Sequence, residues 1–353
     1  MKKIFKFSNP FYDFFLERKS ISEINFIPEN LWTGDSENGR KIIDGSLQFN
    51  NETIIFRPNS WRSNNGSKVW NEKLHSFEWV NDVRTVGTNK ARVFIRDCFR
   101  EWQKKYNKYN VDVWKINILC KRVCSLLENS SFFFSTADQN FQKTFSRSLN
   151  KQAFFLIKNY KEQVENNNKI FLSKSIILSS LCFKNLRYKL SFGMEMLFDT
   201  IDKDLLDDSM HASRSPNQHF EFLKSLIDIK NFLGFCDLEI PKYLNVIISK
   251  MGTVLKFFKI NSSELAIFNE SRFVGSIELN EVIKRSNSRV KIPSELKSSC
   301  YNRVSENRLT FIMDNGSPSL VNTHASSLSF EFSYIGEKIV VNSGSPYVND
   351  KKW

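Results

Sequence analysis

Between residues 74 and 258 apolar residues recur at the period of an α-helix. Ile95, Phe99 and Trp102 fall at i, i+4 and i+7. Ile116, Leu119, Val123 and Leu126 fall at i, i+3, i+7 and i+10, and Phe141, Phe145 and Leu149 repeat every fourth residue. Residues 170–183 and 219–233 behave likewise. The short polar segments NKYNVD, ENSS, ENNNK and DDS lie between these runs and predict loops. Helix pairs in series follow, with the aromatic stripes as their core rather than as ligand platforms. Beyond residue 260 the period changes. Residues 264–279 alternate weakly, whereas RLTFIMD (308–314) and SLSFEFS (327–333) alternate clearly, with Leu328, Phe330 and Phe332 on one face and Ser329 and Glu331 on the other. YIGE, with Gly336, predicts a hairpin turn into a strand over 338–342. The class is therefore mainly α plus β, with an antiparallel sheet after the helices. Residues 1–73 read as an arm with a strand-like piece at 46–56, a turn at Asn64-Asn65-Gly66, and Trp32, Trp61 and Trp70 packed on a larger body. The expected divisions are 1–73, 74–260 and 261–353.

Composition narrows the partners. The 353 residues carry 41% hydrophobic and 25% charged side chains, enough for a sizeable core. A net charge of +13 favours a polyanionic partner: an acidic glycan, nucleic acid or anionic lipid. No zinc-finger, RNA-recognition or basic-helix pattern is present, which sets nucleic acid aside in favour of acidic polysaccharide. The abundance of phenylalanine, 33 residues, matches a general composition bias and carries no function of its own. Six cysteines form no CxxC pair; Cys120 and Cys124 stand one helical turn apart inside an apolar run, where cysteine acts as a small hydrophobe. The N-terminus, MKKIFKFSNPFYDFF, begins like a signal peptide, but Lys6, Asn9 and Pro10 interrupt its apolar run. No apolar run reaches membrane-spanning length. The expected location is the cytoplasm, with the periplasm or cell envelope as the alternative; the oligomeric state is not legible.

The candidate chemistry centres on LLDDSMHASRSPNQH, residues 205–219. It is short, polar and turn-prone between two apolar helical runs. Ser215-Pro216 marks a helix start, because proline tolerates the first helical turn. The stretch holds two of the four histidines, His211 and His219, with Arg214 between them. Imidazole and guanidinium groups suit an anionic ligand. The alternative is a polar connection with a capping aspartate.

This stretch resembles the signature DG-x-x-x-E-x-SP-x-YH of the heparinase II/III family of polysaccharide lyases, with Asp208, Ser215, Pro216 and His219 matching. HASSLSFEF (324–332) followed by KIVVNSGSPY (338–347) resembles the family's H-x-HAD-x-LSFEL and its following strand. LWTGDSENGRKIIDG (31–45) and LHSFEW (74–79) resemble the N-terminal pattern of bacterial members. The resemblance implies an (α/α) toroid followed by a β-sandwich. Since the sequence stops soon after the hairpin, the sandwich is expected to be partial, leaving an unpaired edge.

The resemblance also implies β-elimination on uronate-containing glycans. Such chemistry neutralises the uronate carboxylate, removes the C5 proton and protonates the leaving oxygen. The family's Asn-His pair falls here on Asn168 and Lys169, its acid/base Tyr on Gln218, and its first sandwich His on Asn322. Its zinc ligands fall on His324, which is retained, and on Asn342. The zinc set is thus incomplete, and no cofactor is assigned; His324 is the candidate metal ligand. Two readings follow. In one, a lyase works with a changed constellation: His211 as base, Arg214 and Lys169 as carboxylate clamps, His324 assisting, and Asn168, Gln218, His219 and Asn322 contacting substrate. In the other, the scaffold binds acidic glycan or serves a structural role without catalysis.

Overall fold

The computed structural model describes residues 10–19, 23–62, 66–162, 169–269, 271, 274–317 and 327–342. The chain forms two compact units, Met1–Leu197 and Phe198–Trp353.

The first unit is helical. Its elements are α1 (Pro10–Lys19), α2 (Ser36–Ile43), a hairpin of β1 (Ser46–Phe49) and β2 (Glu52–Ile55), α3 (Lys68–Ser76), α4 (Val80–Thr85), α5 (Asn89–Tyr106), α6 (Ile116–Glu128), α7 (Ser130–Phe133), α8 (Gln139–Asn159) and α9 (Lys169–Cys182). Helix starts are set by side-chain caps: Asp35, Ser67, Thr88 and Asp138 each accept a backbone N–H of the first turn of α2, α3, α5 and α8. The aromatic stripes form the core as expected. Trp61 and Phe77 stack with centroids 5.4 Å apart, and Phe99 meets Phe145 edge-on at 4.8 Å. Phe77 closes α3 in the left-handed conformation, φ 58°, which turns its ring into this cluster. Trp32, Trp61 and Trp70 are all buried, and the strand-like piece at 46–56 is the β1–β2 hairpin.

Two buried charges organise this unit. Arg122 on α6 is fully buried; its guanidinium donates to Gln152 Oε1 at 2.6 Å and to the carbonyls of His75 and Val113, both at 3.0 Å, and lies 4.6 Å from the Trp102 ring. Lys151 on α8 reaches Asp13 at 2.6 Å and Glu17 at 3.1 Å, tying α1 to the body. One expected loop is absent. At ENSS, α6 passes into α7 across Asn129. The Asn129 amide donates to the Ser125 carbonyl and the Ser130 hydroxyl to the Leu127 carbonyl, so polar side chains sustain the helical turn instead of breaking it.

α10 (Leu190–Asp204) runs from the first unit into the second, which continues with α11 (Pro216–Phe235), α12 (Lys242–Phe257), α13 (Ser276–Arg285) and strands β3 (Glu295–Leu296), β4 (Tyr301–Glu306), β5 (Leu309–Asp314), β6 (Phe330–Tyr334) and β7 (Glu337–Val340). α11 pairs with α12, and α13 packs on both. The weak alternation over 264–279 does not form a strand there: α13 starts at Ser276 and buries Leu279 and Val282, spaced for a helix face. The strands form one antiparallel sheet in chain order, with Val304, Phe311, Phe332 and Val340 aligned across β4 to β7. Ile335 and Gly336 both take positive φ in the expected hairpin turn, which matches the twist of the strands. On one face Tyr301, Ile312, Asp314, Glu331 and Ser333 are buried; on the other, Val304, Phe330 and Tyr334 are exposed although apolar. The contacts thus group α11 and α12 with the sheet, dividing the chain at 197/198, whereas the helix-to-strand change of pattern falls near 260.

Candidate functional site

The signature stretch is held together by short-range bonds. Asp208 Oδ1 accepts the Met210 N–H at 3.1 Å, and Oδ2 accepts both the N–H and the hydroxyl of Ser299 at 2.7 and 2.8 Å. Ser209 takes φ 65° and Arg214 φ 56°, so the chain doubles back twice in six residues. Ser215 then caps α11: its hydroxyl accepts the Gln218 N–H and meets the Ser271 hydroxyl, and Pro216 occupies the first turn. Asp208 and the Ser215-Pro216 step of the signature are therefore fold-determining.

Arg214 is the centre of this arrangement. Its guanidinium forms an ion pair with Asp314 at the end of β5 and donates to the carbonyls of Ser299 at 2.9 Å and Ser317 at 3.0 Å. It lies 5.3 Å from the Tyr301 ring. Its carbonyl accepts the Tyr301 hydroxyl at 2.8 Å and the Asn269 amide at 3.2 Å, and that amide also donates to Tyr301 Oη and Asp314 Oδ2. A Cβ at Gly316 would meet the guanidinium, so a larger residue there would have to displace Arg214 from its present position. Burial, with the Asp314 charge beside it, pushes the Tyr301 phenol well above its ordinary range.

The two histidines differ in access but not in charge. His219 is fully buried; its Nδ1 accepts the His211 N–H at 3.3 Å and its Nε2 donates to the Met251 carbonyl at 2.9 Å. His211 is also buried, with Nδ1 at 2.7 Å from the Ser213 hydroxyl and its ring against Phe222. Burial lowers both to about 4, so both are neutral near pH 7.

These placements correct three expectations. Arg214 is committed to Asp314 and two carbonyls, so it is a structural latch and not an open carboxylate clamp. His219, with both ring nitrogens bonded and no exposure, is a core histidine and not a substrate contact. His211 is not poised as a base: its Nδ1 accepts the Ser213 N–H at 3.1 Å, so the neutral ring carries its proton on Nε2, which has no partner among the described residues and can only donate. Gln218, in the first turn of α11, is partly exposed, and its side-chain amide has no partner among the described residues. Lys169 is the first residue of α9, in the first unit, and is partly exposed. Asn168, Asn322 and His324 lie outside the described residues. Sequence reasoning missed Asn269, Tyr301, Asp314 and Gly316. Their available signal was the single carboxylate ending the apolar strand RLTFIMD, followed by Asn-Gly.

Of the two zinc positions that the resemblance implied, only Asn342 lies among the described residues. The Asn342 amide donates to the Ile267 carbonyl at 2.9 Å, and the Asn342 N–H and Ile267 N–H both bond Glu331 Oε1, at 3.1 and 3.0 Å. Asn342 ties a strap to the sheet there. Among the described residues no group of three His, Cys, Asp or Glu side chains is arranged to hold a metal. Nor is any described helix long and apolar enough to cross a membrane.

Residues 11–292 match the family model "Heparinase II/III N-terminus", and residues 289–353 match "Heparinase II/III-like, C-terminal". The chain belongs to the heparinase II/III family. The fold agrees. A structure titled heparinase III superposes with a TM-score of 0.71 at 14% identity, over 95% of this chain and 63% of that one. Heparan sulfate lyase HepC from Pedobacter heparinus gives 0.61 at 16% identity, over 96% of this chain and 62% of that one. These heparinases share the helical toroid followed by an antiparallel sheet, the architecture that the resemblance implied. A curated relative, FtsZ-localized protein C of Caulobacter vibrioides, is 22% identical over 88% of this chain and 54% of its own length. The heparinase II/III-like chain thus spans between half and two thirds of the length of these relatives.

Proposed function

We propose that this heparinase II/III-family chain binds acidic polysaccharide on a lyase scaffold whose signature loop has become structural. The observation that carries this reading is the Arg214–Asp314 latch: the one guanidinium of the loop is bonded on three sides within the protein. A β-eliminating site must neutralise a uronate carboxylate, and a cation already paired in this way supplies little of that stabilisation. The residue in the position of the family's tyrosine is Gln218, whose amide neither takes up nor delivers a proton at neutral pH. The net charge of +13 suits retention of a polyanion without further chemistry. A relative over most of this chain is named for localisation with FtsZ rather than for lyase action, which agrees with a scaffold put to other uses.

A second reading rests on His211. Its neutral imidazole accepts the Ser213 N–H at Nδ1, so its Nε2–H, unpartnered among the described residues, fits a hydrogen-bond donor to the charge that develops on a uronate during elimination. The test separates the two. Purified protein is incubated with heparan sulfate, hyaluronan, chondroitin and alginate; binding is followed by retention on the immobilised glycan and cleavage by the ultraviolet absorbance of an unsaturated uronate. Retention without product supports the binding reading. Product that disappears in His211→Ala establishes the lyase reading instead.

A further inference from the structure

The first unit contains a cleft of about 640 Å³ lined by α1, α5 and α8. Its lining includes Phe14 and Arg18 from α1, Asn107 at the end of α5, and Arg147, Ser148 and Lys151 from α8. None of these residues belongs to the signature loop. We propose that this cleft is a binding site for an anionic saccharide, a sugar unit bearing a carboxylate or sulfate.

The charges in the cleft are of two kinds. Lys151, with only 2% of its side chain exposed, is paired with Asp13 and Glu17. It fixes α1 as one wall and offers no spare charge. Arg18 and Arg147 are exposed, and among the described residues neither has an ion-pair partner. Two guanidinium forks facing one cleft match the bidentate geometry of carboxylate and sulfate oxygens. Phe14, 64% exposed, adds an apolar ring suited to the C–H face of a pyranose. The cleft's size lies within the range of about 300–1,000 Å³ typical of small-ligand sites.

The walls also select against an acidic peptide. An extended peptide needs partners for its own N–H and C=O groups, usually a free strand edge. Here the walls are helices, whose mid-helix backbone groups are bonded within each helix. Only side chains are offered to a ligand, which suits hydroxyls and ring anions. This site requires no bond cleavage, so it stands whether or not the loop of the second unit is catalytic.

The test uses the full chain and a fluorescently labelled heparin-derived tetrasaccharide, with binding read by anisotropy. Arg18→Glu combined with Arg147→Glu is expected to weaken binding by about tenfold or more per charge reversed. Arg147→Lys should retain most of the affinity and Phe14→Ala should lose severalfold. The melting temperature reports folding; if the double reversal lowers it, Arg147→Gln alone serves in its place. Unchanged affinity in the charge variants overturns the proposal, since any binding then lies elsewhere on the chain. Equal affinity for a desulfated, carboxyl-reduced tetrasaccharide overturns the anionic requirement. Tighter binding of a poly-glutamate decapeptide overturns the saccharide assignment in favour of an acidic peptide. Product formation is measured separately, so failure here and failure of the acidic-glycan reading give different results.

Discussion

The hydroxyl of Tyr301 donates to the carbonyl of Arg214 at 2.8 Å, joining the first strand of the β4–β5 hairpin to the loop that precedes α11. Arg214 stands at positive φ, a conformation uncommon for a residue with a side chain. Tyr301, Asn269 and Asp314 hold its backbone carbonyl on one side and its guanidinium on the other.

Removing the carboxylate should therefore be costly. Asp314 is fully buried, and Asp314→Ala leaves a largely buried guanidinium without its counter-ion. The expected loss is about 3–5 kcal/mol, the usual result of deleting one partner of a buried pair. Urea unfolding followed by circular dichroism measures it. A change below about 1 kcal/mol would mean that the latch is not structural.

Tyr301→Phe keeps the ring and removes only the hydroxyl. It should cost about 1–3 kcal/mol, because the Arg214 carbonyl and the Asn269 amide each lose a buried partner. The double variant with Asp314→Ala should cost less than the sum, since both act on one network.

Stability should fall in mild acid. His211 and His219 are lowered by burial from 6.5 to about 4, and His75 in the first unit to about 3. A histidine depressed on folding binds fewer protons folded than unfolded. Its contribution is complete above the unfolded value near 6.5, is lost as pH falls from there toward 4 for the loop pair and toward 3 for His75, and levels off below. Denaturant midpoints measured from pH 8 to 4 should stay level to about 6.5 and then decline. A midpoint that rises toward pH 5 contradicts buried neutral imidazoles.

Lys151→Ala should loosen α1. Asp13 and Glu17 would lose the ammonium that holds the helix to α8. Limited proteolysis should then cut within Pro10–Lys19 at least several-fold faster, while α5 and α8 keep their protection in hydrogen exchange. Equal protection of α1 would show that its apolar contacts suffice.

Most of the helices, the β5–β7 strands and the family were legible in the apolar spacing and motifs of the chain. Periodic apolar spacing forces a face to be buried, so Phe141, Phe145 and Leu149 had to point inward whatever surrounded them. Ser215-Pro216 likewise fixes a helix start locally, through one cap and one missing N–H. Tertiary structure decided what the charged residues of the signature do. Arg214 meets Asp314 a hundred residues later in the chain, and Asn342 meets Ile267 seventy-five residues before it. A guanidinium that clamps a substrate and one that locks a loop have the same local sequence, because the difference lies in the partner that folding brings to it. His219 carries the same lesson: only its burial against the Met251 carbonyl, supplied by a neighbouring helix, makes it a neutral core group.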